Sequence, residues 1–320
     1  MQLLIGFDIG GTKCSVSTGV FEGAERLTPE EKAVMKTDLS VSPEEMLRTM
    51  AEQAQRLLRG RQPDRIGISC GGPLDPQTGC VQGPPNLPGW ENVPAADILR
   101  QIFRCPVSLK NDADACAIAE WKFGNGRGCR NMVFLTFGTG MGAGLILNGR
   151  LYQGANGMAG EIGHIRMAAH GPAGYGKCGS FEGFCSGGGI AQLAYSYAVE
   201  GVQRGSCPAY FLQGMRPEEV TAQTVAQAAA AGDETALKVY RICGEQLGRG
   251  LSILIDLLNP ERIILGSVYA RAEALLRDTA LEVVRREALE RSRLVCEVLP
   301  AGLGEKLGDY AALAAAIGED

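Results

Sequence analysis

The residues best suited to chemistry in this sequence are the pair Asn111-Asp112. They follow an apolar, strand-like run at 105–110 and precede a helical pattern at 115–121. A carboxylate at the end of a strand can accept a proton from a substrate hydroxyl, and the neighbouring amide can hold that substrate in place. The alternative is a purely local role, because Asn and Asp are preferred at helix N-caps. Taken alone the pair favours the cap, and the rest of the chain reverses that preference.

The first of two glycine-rich turns lies between a strand pattern at 3–8 and another at 14–20. Small residues leave backbone N–H groups accessible to phosphate oxygens, and a Thr hydroxyl and a Lys add further donors. The candidate phosphate-binding residues are Gly10, Gly11, Thr12 and Lys13. Asp8, at the end of the strand, is placed to hold a metal-bound water or to face a phosphoryl group. Neither a dinucleotide fingerprint nor a Walker A spacing is present, and a plain Gly-Gly hairpin turn is the alternative.

The second turn repeats this pattern in the other half of the chain. It spans 137–144, between strand patterns at 131–136 and 145–147, and contains Thr139 and Gly140. Two such turns, one in each half, can face each other across a cleft and hold one polyphosphate from both sides. The matched pair is stronger evidence for phosphate binding than either turn alone.

Backbone and amide groups suited to a sugar occur in two loops of the first half. A strand pattern at 65–69 ends in a turn containing Gly71, which brings the backbone close to a cleft. Three prolines stiffen the loop at 83–90, whose Asn86 can bind a sugar hydroxyl. Trp90 in the same loop is interpreted as a packing anchor, since large aromatic side chains usually serve burial.

Glu161 and His164 lie in a segment rich in Gly and Ala, which allows close backbone approach. We expect a buried pair in which the carboxylate and the imidazole bind neighbouring hydroxyl groups of a polyol. The alternative is a structural His–Glu pair. The sequence contains only two His, and His170 in a Gly/Pro-rich loop is assigned no role.

Composition excludes several classes of function. The chain has 320 residues, of which 45% are hydrophobic and 21% charged, as in globular proteins of one large or two medium domains. A formal net charge of -5 gives no electrostatic reason to expect nucleic-acid or membrane binding. No signal peptide or membrane-spanning run is seen. The eleven scattered Cys favour a reduced, cytoplasmic chain over a disulfide framework.

Together these motifs resemble the ROK family of sugar kinases (repressor, open reading frame, kinase) over essentially the whole chain. The motifs are Asp8–Lys13, Pro85–Trp90, Asn111-Asp112, Gly138–Gly144, Gly160–His164 and Leu265–Ser267. The last departs slightly, since the family commonly has Gly-Gly there. The resemblance implies an α/β, two-lobed, actin-like (ribonuclease H-like) ATPase fold with a central cleft. We expect an N-terminal lobe at 1–115 plus 302–320 and a C-terminal lobe at 116–301.

The resemblance also implies the reaction: ATP with Mg²⁺, and transfer of the γ-phosphoryl group to a hydroxyl of a hexose or amino sugar. Asp112 resembles the catalytic base, in keeping with a chemistry that depends mostly on positioning and electrostatics. The substrate-binding residues by resemblance are Gly71, Asn86, Asn111, Asp112, Glu161, His164 and Glu182. The ATP-binding residues are Asp8, Gly10, Gly11, Thr12, Lys13, Thr139 and Gly140, with Gly266 at the adenosine pocket. Glu182 is included because 182–187 matches the family pattern E-x-x-x-S-G.

One segment departs from the family. Many members hold a structural zinc with one His and three Cys. Here Gly176 stands where the first Cys would be, Cys178 matches the second, and the third is missing. We therefore expect no structural zinc, with the loop held by Phe181, Tyr175 and local hydrogen bonds.

Two other functions compete with the kinase. Repressors of the family carry an extra N-terminal DNA-binding domain, for which the segment before Asp8 leaves no room, so we expect a kinase and no nucleic-acid partner. A sugar-binding protein without activity is the other rival, against which the intact Asp112 and both turns argue. Family analogy implies a homodimer. The motifs select the reaction and not the sugar, since glucose, fructose, allose, mannose and N-acetylmannosamine present similar hydroxyls.

Overall fold

Strands and helices are mixed along the whole chain. The computed structural model describes residues 1–23, 25–212 and 214–317. The strands are β1 (Gln2–Ile9), β2 (Lys13–Glu22), β3 (Arg26–Lys36), β4 (Arg65–Cys70), β5 (Leu74–Asp75), β6 (Cys80–Val81), β7 (Val107–Asn111), β8 (Met132–Leu135), β9 (Ala143–Leu147), β10 (Arg150–Leu151), β11 (Ala173–Gly174), β12 (Lys177–Cys178), β13 (Arg262–Leu265) and β14 (Glu297–Pro300). The helices are α1 (Pro43–Leu58), α2 (Ala95–Phe103), α3 (Asp112–Phe123), α4 (Phe181–Phe184), α5 (Gly187–Gln203), α6 (Ala222–Ala230), α7 (Glu234–Leu258), α8 (Ser267–Glu287), α9 (Glu290–Arg293) and α10 (Leu307–Ala314). Short 3₁₀ helices occur at Ile162–His164, Pro217–Glu219 and Gly304–Lys306.

The chain forms two compact units. The first comprises Met1–Arg130, Gly144–Ala159 and the chain from Gly302 onward, and the second comprises Asn131–Ala143 and Gly160–Ala301. These bounds differ from the predicted lobes, since 116–130 and 144–159 group with the first unit. The physical reason is α3, which a boundary at 115 would cut, and against which Gly144 packs so closely that a Cβ would stand 2.5 Å from that of Ala117.

The sheet of the first unit brings three strand ends to one edge. Its order is β3-β2-β1-β4-β7, with β1 antiparallel to β2 and parallel to β4, and β4 parallel to β7. Ile9 lies opposite Cys70, and Cys70 lies opposite Asn111. The carboxyl ends of three parallel strands therefore meet, which is where ligands bind in open α/β sheets. In the same unit β9 pairs antiparallel with β10.

Both faces of this sheet are covered, as parallel strands require. Ile5 belongs to the cluster that includes Met46 and Leu47 of α1, whereas Leu4 belongs to the cluster with Leu313 near the end of α10. This is the period-two alternation of a strand. Helix α10 approaches closely because β1 and β4 contain glycines, and a Cβ on Gly6 would lie 2.6 Å from the carbonyl carbon of Ala312.

The second unit contains parallel strands in the order β8-β13-β14, with Leu135 opposite Leu265. Its helices α7 and α8 pack closely through small residues. A Cβ on Gly248 would lie 2.5 Å from the carbonyl oxygen of Ala280, and one on Gly244 would lie 3.0 Å from Cβ of Thr279. Since side chains at i and i+4 share a face, these two glycines form one groove in α7 that receives α8.

Most predicted elements are confirmed, and one strand of more than two residues was missed. Both Gly-rich turns lie between strands, and the helix predicted from Ser42 is α1, whose Glu45 N–H donates to Ser42 Oγ at 3.2 Å. The missed strand is β3, whose residues alternate between exposed and partly buried at the edge of the sheet. Its charged residues and Pro29 carry little apolar signal, which is typical of edge strands.

No helix in the three described ranges is both long and apolar enough to cross a lipid bilayer.

A fully buried carboxylate ties α3 to the segment that precedes α10. Glu120 Oε2 accepts hydrogen bonds from the N–H groups of Asn125 (2.9 Å) and Gly302 (3.0 Å), and Oε1 accepts one from Leu303 (2.9 Å). Bonds from N–H groups to an ionised carboxylate are stronger than neutral ones. Glu120 therefore joins two segments that are distant in the sequence.

We predict that Glu120→Ala lowers the free energy of unfolding by about 3 kcal/mol, because it leaves three partly buried N–H donors without their acceptor. Glu120→Gln should cost less, since the amide keeps one oxygen. Urea unfolding monitored by circular dichroism measures the change. Glu52→Ala, at an exposed position on α1, is the control and should change stability by about 0.5 kcal/mol or less. Equal stability of the Ala variants at 120 and 52 would contradict the prediction.

Candidate functional site

The pair Asn111-Asp112 stands where β7 ends and α3 begins. The Ala113 N–H donates to Asn111 Oδ1 at 2.9 Å and to Asp112 Oδ1 at 2.8 Å, and Asn111 is the N-cap. The cap role is thus real for Asn111. It does not exclude chemistry, since the Asp112 side chain is exposed. The cap holds the carboxylate at a helix N-terminus, where the helix dipole favours negative charge.

Asp8 and Asp112 interact electrostatically in the first unit. Burial, and secondarily the charge of Asp112, raise the pKa of Asp8 to about 6, against the opposing effects of Lys32 and Lys13. Surrounding protein also raises the pKa of Asp112 by desolvation, while hydrogen bonds from the Ala113 and Asp112 N–H groups lower it. Because the Asp112 side chain is accessible, solvent limits its shift. Two carboxylates with perturbed pKa values at strand ends are typical of a functional site.

Two glycines bring Asn86 and Asn111 to the same edge. A Cβ on Gly71 would lie 3.8 Å from Asn86 Oδ1, and a Cβ on Gly72 would lie 3.1 Å from Asn111 Nδ2. Gly11 packs on the backbone of Asn86, where a Cβ would overlap the Asn86 carbonyl oxygen. The first phosphate turn and the predicted sugar-binding amides of this unit are therefore neighbours. Trp90, as predicted, is a buried anchor that is 3% exposed.

The first turn is held by a residue that sequence reasoning missed. Thr37 donates from Oγ1 to the Gly10 carbonyl oxygen at 2.5 Å, and its N–H donates to the Thr12 carbonyl oxygen at 3.1 Å. Thr37 directly follows β3, so without that strand its position could not be inferred. The side chains of Thr12 and Lys13 remain exposed, where they can reach a ligand.

The second turn, at 136–142 in the other unit, closes on itself. Thr136 N–H donates to the Gly142 carbonyl oxygen at 3.0 Å, and Gly142 N–H donates back to Thr136 Oγ1 at 3.0 Å. Within it, Gly138 N–H donates to the Gly140 carbonyl oxygen at 2.9 Å. The loop is thus preorganised, and Thr139 at its tip is exposed.

Two long helices begin at this turn. Gly187 N–H, in the first turn of α5, donates to the Gly138 carbonyl oxygen at 2.8 Å, and Val268 N–H of α8 donates to the Phe137 carbonyl oxygen at 2.8 Å. Gly266, the N-cap of α8, donates to the Leu135 carbonyl oxygen at 2.9 Å. Helix N-termini carry partial positive charge and favour phosphate groups. Gly266 is thereby placed beside the second turn.

Glu182 is attached directly to the second turn. Its Oε2 accepts a hydrogen bond from Met141 N–H at 2.9 Å, and a Cβ on Gly140 would stand 2.7 Å from the same oxygen. Gly163 packs against both Met141 and Glu182, and a Cβ on Gly163 would lie 3.3 Å from Cβ of Glu182. The second unit therefore joins a predicted sugar ligand to the predicted phosphate turn through one hydrogen bond, which no sequence motif indicates.

The prediction that Glu161 and His164 form a buried pair is wrong. Both residues are exposed, and the inward positions of this segment are occupied by Ile162 and Gly163. A 3₁₀ helix at Ile162–His164 explains this. Side chains three residues apart eclipse in such a helix, so the N-cap Glu161 and His164 lie on one side, which faces outward. The His164 carbonyl oxygen accepts from Lys177 Nζ at 2.7 Å.

The loop that differs from the family forms the hairpin β11–β12. Phe181 is completely buried, against Gly250 of α7, and Ser180 Oγ accepts from Gly183 N–H at 3.0 Å. Tyr175 is 70% exposed and contacts the His164 ring edge-on. The described residues contain no group of three or more His, Cys, Asp or Glu arranged to hold a metal. Absence of zinc from the protein stays a prediction.

Known proteins resemble this chain over nearly its full length. The ROK family matches residues 4–318. A glucokinase of Halalkalibacterium halodurans is 32% identical over 319 residues, covering 95% of this chain and 92% of that protein. A xylose repressor of Caldicellulosiruptor bescii is 28% identical over 292 residues, covering 89% and 70%.

The fold has a solved counterpart. The crystal structure of a ROK family glucokinase from Streptomyces griseus, in complex with glucose and AMPPNP, superposes with a TM-score of 0.78 at 29% identity, covering 98% of this chain and 99% of that one. The predicted two-lobed actin-like ATPase fold is confirmed.

We predict that Asp8→Asn stabilises the protein more at neutral than at acidic pH. The folded-state pKa of Asp8 lies above its unfolded value of 3.8. The ionised group therefore costs stability as pH rises through this window, and the cost persists above it. From about pH 5 to about pH 7.5 the advantage of Asn should grow by about 1 kcal/mol, measured by urea unfolding.

Asp75→Asn is the control, and its effect on stability should depend on pH in the opposite direction. Hydrogen bonds from the Thr78 hydroxyl, and from the N–H groups of Gln77 and Thr78, lower the pKa of Asp75. Its ionised form therefore stabilises the fold above the unfolded pKa, and that stability is lost as pH falls. A pH-independent effect of Asp8→Asn would contradict the assigned pKa.

Proposed function

Because the chain belongs to the ROK family and is a sugar kinase, we propose that it transfers the γ-phosphoryl group of ATP to a hydroxyl of a hexose or amino sugar, with Asp112 as the general base. One observation carries this proposal: Asp112 is an accessible carboxylate fixed by a helix cap beside Asn111. A general base must lie within hydrogen-bond reach of the proton that it removes. A carboxylate already fixed in position loses less conformational entropy when it adopts that reactive geometry.

The proposed step balances with one proton transfer. The sugar hydroxyl donates a hydrogen bond to Asp112, its oxygen attacks the γ-phosphorus, and the bond from that phosphorus to the leaving ADP oxygen breaks. The hydroxyl proton passes to Asp112 and from there to solvent. The Ala113 N–H bonded to Asp112 Oδ1 orients the carboxylate. Since phosphoryl transfer needs mainly positioning and charge stabilisation, one base suffices.

The phosphate-binding roles fall on the two turns. In the first unit Gly10, Gly11, Thr12 and Lys13 supply backbone N–H groups, a hydroxyl and an ammonium. In the second unit Thr139 and Gly140 supply backbone N–H groups and a hydroxyl at the N-termini of α5 and α8, and Gly266 contacts the adenosine. This assignment is supported by the turn at 136–142, whose internal hydrogen bonds fix its conformation in the absence of ligand.

The sugar-binding roles fall on short polar side chains. Asn86 lies beside Gly71 and Asn111 lies beside Gly72. The proposed set also includes Glu161, His164 and Glu182. An ionised carboxylate accepts about four hydrogen bonds, so Glu182 can keep the bond from Met141 N–H and still bind a hydroxyl. The exposure of Glu161 and His164 suits ligand binding better than the buried pair expected from sequence.

Asp8 fits a magnesium–nucleotide complex. Magnesium is usually bound by one or two carboxylates together with substrate phosphates, and supplies charge neutralisation between those phosphates when bound. Asp8 is a single half-buried carboxylate directly before the first phosphate turn, and with a pKa of about 6 it is mostly ionised at neutral pH. The proposal also includes a cytoplasmic homodimer, as the family resemblance implies.

Glucose is the first candidate substrate, because the glucokinase relative and the glucose complex share the family and fold.

A sugar-responsive regulator is the second candidate function, favoured by the similarity to a xylose repressor. The two differ in turnover, because a regulator binds sugar without releasing ADP. A coupled ADP-release assay over hexoses and amino sugars separates them.

We predict that Asp112→Asn lowers kcat for the best sugar by about 10²–10⁴-fold, the range for loss of a general base. The KM for ATP should change little, because Asp112 is not assigned to the nucleotide. Asp97→Asn is the matched control, an exposed aspartate in the first turn of another helix. It should retain kcat. Full activity of the Asp112 variant would remove the assigned role.

We further predict that Gly140→Ala raises the KM for the sugar about fivefold. The new Cβ would stand 2.7 Å from Glu182 Oε2, so the carboxylate must move and lose its bond from Met141, a loss of about 1 kcal/mol. Gly138→Ala is the control within the same turn, since nothing lies within 4 Å of its Cβ position. An unchanged sugar KM in the Gly140 variant would show that Glu182 does not bind the sugar.

A further inference from the structure

A cavity lies in the second unit, and none of the residues assigned to sugar or ATP lines it. It is lined by the C-terminal half of α8, the end of α9, strand β14 and Ile255 of α7, and its volume is about 330 Å³. Small-molecule sites occupy about 300–1,000 Å³, so this cavity admits a small ligand.

Three arginines converge on this cavity. Arg277 and Arg285 come from α8, eight residues apart and therefore on one face of the helix, with Leu281 between them. Arg293 is the last residue of α9. Guanidinium groups stay protonated at all physiological pH values, so the three repel one another unless an anion lies between them.

One of these arginines presents a donor that the fold does not satisfy. The Nε of Arg293 is buried and has no hydrogen-bond partner among the described residues. A buried N–H group without an acceptor destabilises a fold, and such groups are rare in native proteins. A turn of the Arg293 side chain toward an oxyanion in the cavity would supply the missing acceptor.

The acidic groups nearby neutralise only part of this charge. Glu297, the acid that lines the cavity, accepts a hydrogen bond from Arg262 Nε at 3.1 Å. Glu273 pairs with Arg277 at 3.5 Å. Within the described ranges Arg285 and Arg293 form no ion pair. These two arginines thus leave an excess of two positive charges in the lining.

The remaining walls are apolar. They consist of Ile255, Leu281, Val284, Val298 and Leu299. We propose that this cavity binds the phosphate group of a small organic molecule whose apolar part rests on these walls. A phosphate monoester is a dianion that matches the excess charge, and its oxygens accept bonds from guanidinium in paired geometry.

Isothermal titration calorimetry at constant ionic strength tests the proposal, with phenyl phosphate and inorganic phosphate as probes. Phenyl phosphate should bind the wild-type protein saturably, and more tightly than inorganic phosphate because its ring reaches the apolar walls. Arg293→Met and Arg285→Ala should each weaken binding at least about tenfold, since each removes a charge-assisted bond.

Arg286→Ala is the matched control on the same helix. Arg286 pairs with Glu287 at 3.1 Å and does not line the cavity, so this variant should bind like wild type. Circular dichroism of each variant without ligand establishes folding, and the exposed Arg285 carries the test if the Arg293 variant does not fold. ATP-site binding would be lost in none of these variants.

Three outcomes would overturn the proposal: no saturable binding of either probe, an equal dissociation constant in all variants, or binding of benzoate as tight as that of phenyl phosphate. The last would point to a carboxylate and not a phosphate. Sugar phosphorylation is measured separately, so its failure leaves this result unaffected.

Discussion

The register of the parallel strands β1, β4 and β7 is the constraint on which the first unit's site depends. Ladder hydrogen bonds place Ile9 opposite Cys70 and Cys70 opposite Asn111. Asp8, Gly71 and Asn111 thereby come to one edge of the sheet from segments far apart in sequence. A slip of one residue would turn each side chain to the other face and bury the polar groups without partners. The apolar clusters on both faces, which include Leu4 and Ile5, prevent that slip.

Local structure and chemistry share the same residues at this edge. The Ala113 N–H is bonded by both Asn111 and Asp112, so the group that begins α3 also orients the proposed base. This arrangement of two neighbouring carboxylates lowers the stability of the fold for electrostatic reasons. Burial and the charge of Asp112 raise the pKa of Asp8 to about 6, which means that the fold holds two interacting carboxylates at the expense of stability. Such strain at a site is typical where function requires a charge that folding alone would not choose.

In the second unit, hydrogen bonds hold a glycine-rich turn in one conformation. Hydrogen bonds from α5 and α8 to Gly138 and Phe137 attach the turn to two helices whose N-termini point partial positive charge at it. Glu182 then accepts a hydrogen bond from Met141 N–H, so the carboxylate proposed to bind sugar is attached to the turn. The arginine cavity lies farther along α8, where Arg285 forms no ion pair with any described residue.

Sequence by itself determined the family, the fold class and most elements, because strand alternation, helix caps and turn glycines are local and leave a local pattern. It also indicated Asp112 and both Gly/Thr turns. Tertiary structure alone decided the bonds that join distant segments: Thr37 to Gly10, Glu182 to Met141, and Glu120 to Gly302. It also decided the exposure of Glu161 and His164, the edge strand β3 and the grouping of 116–130 with the first unit. None of these leaves a local pattern, since each depends on which surfaces the packed chain covers.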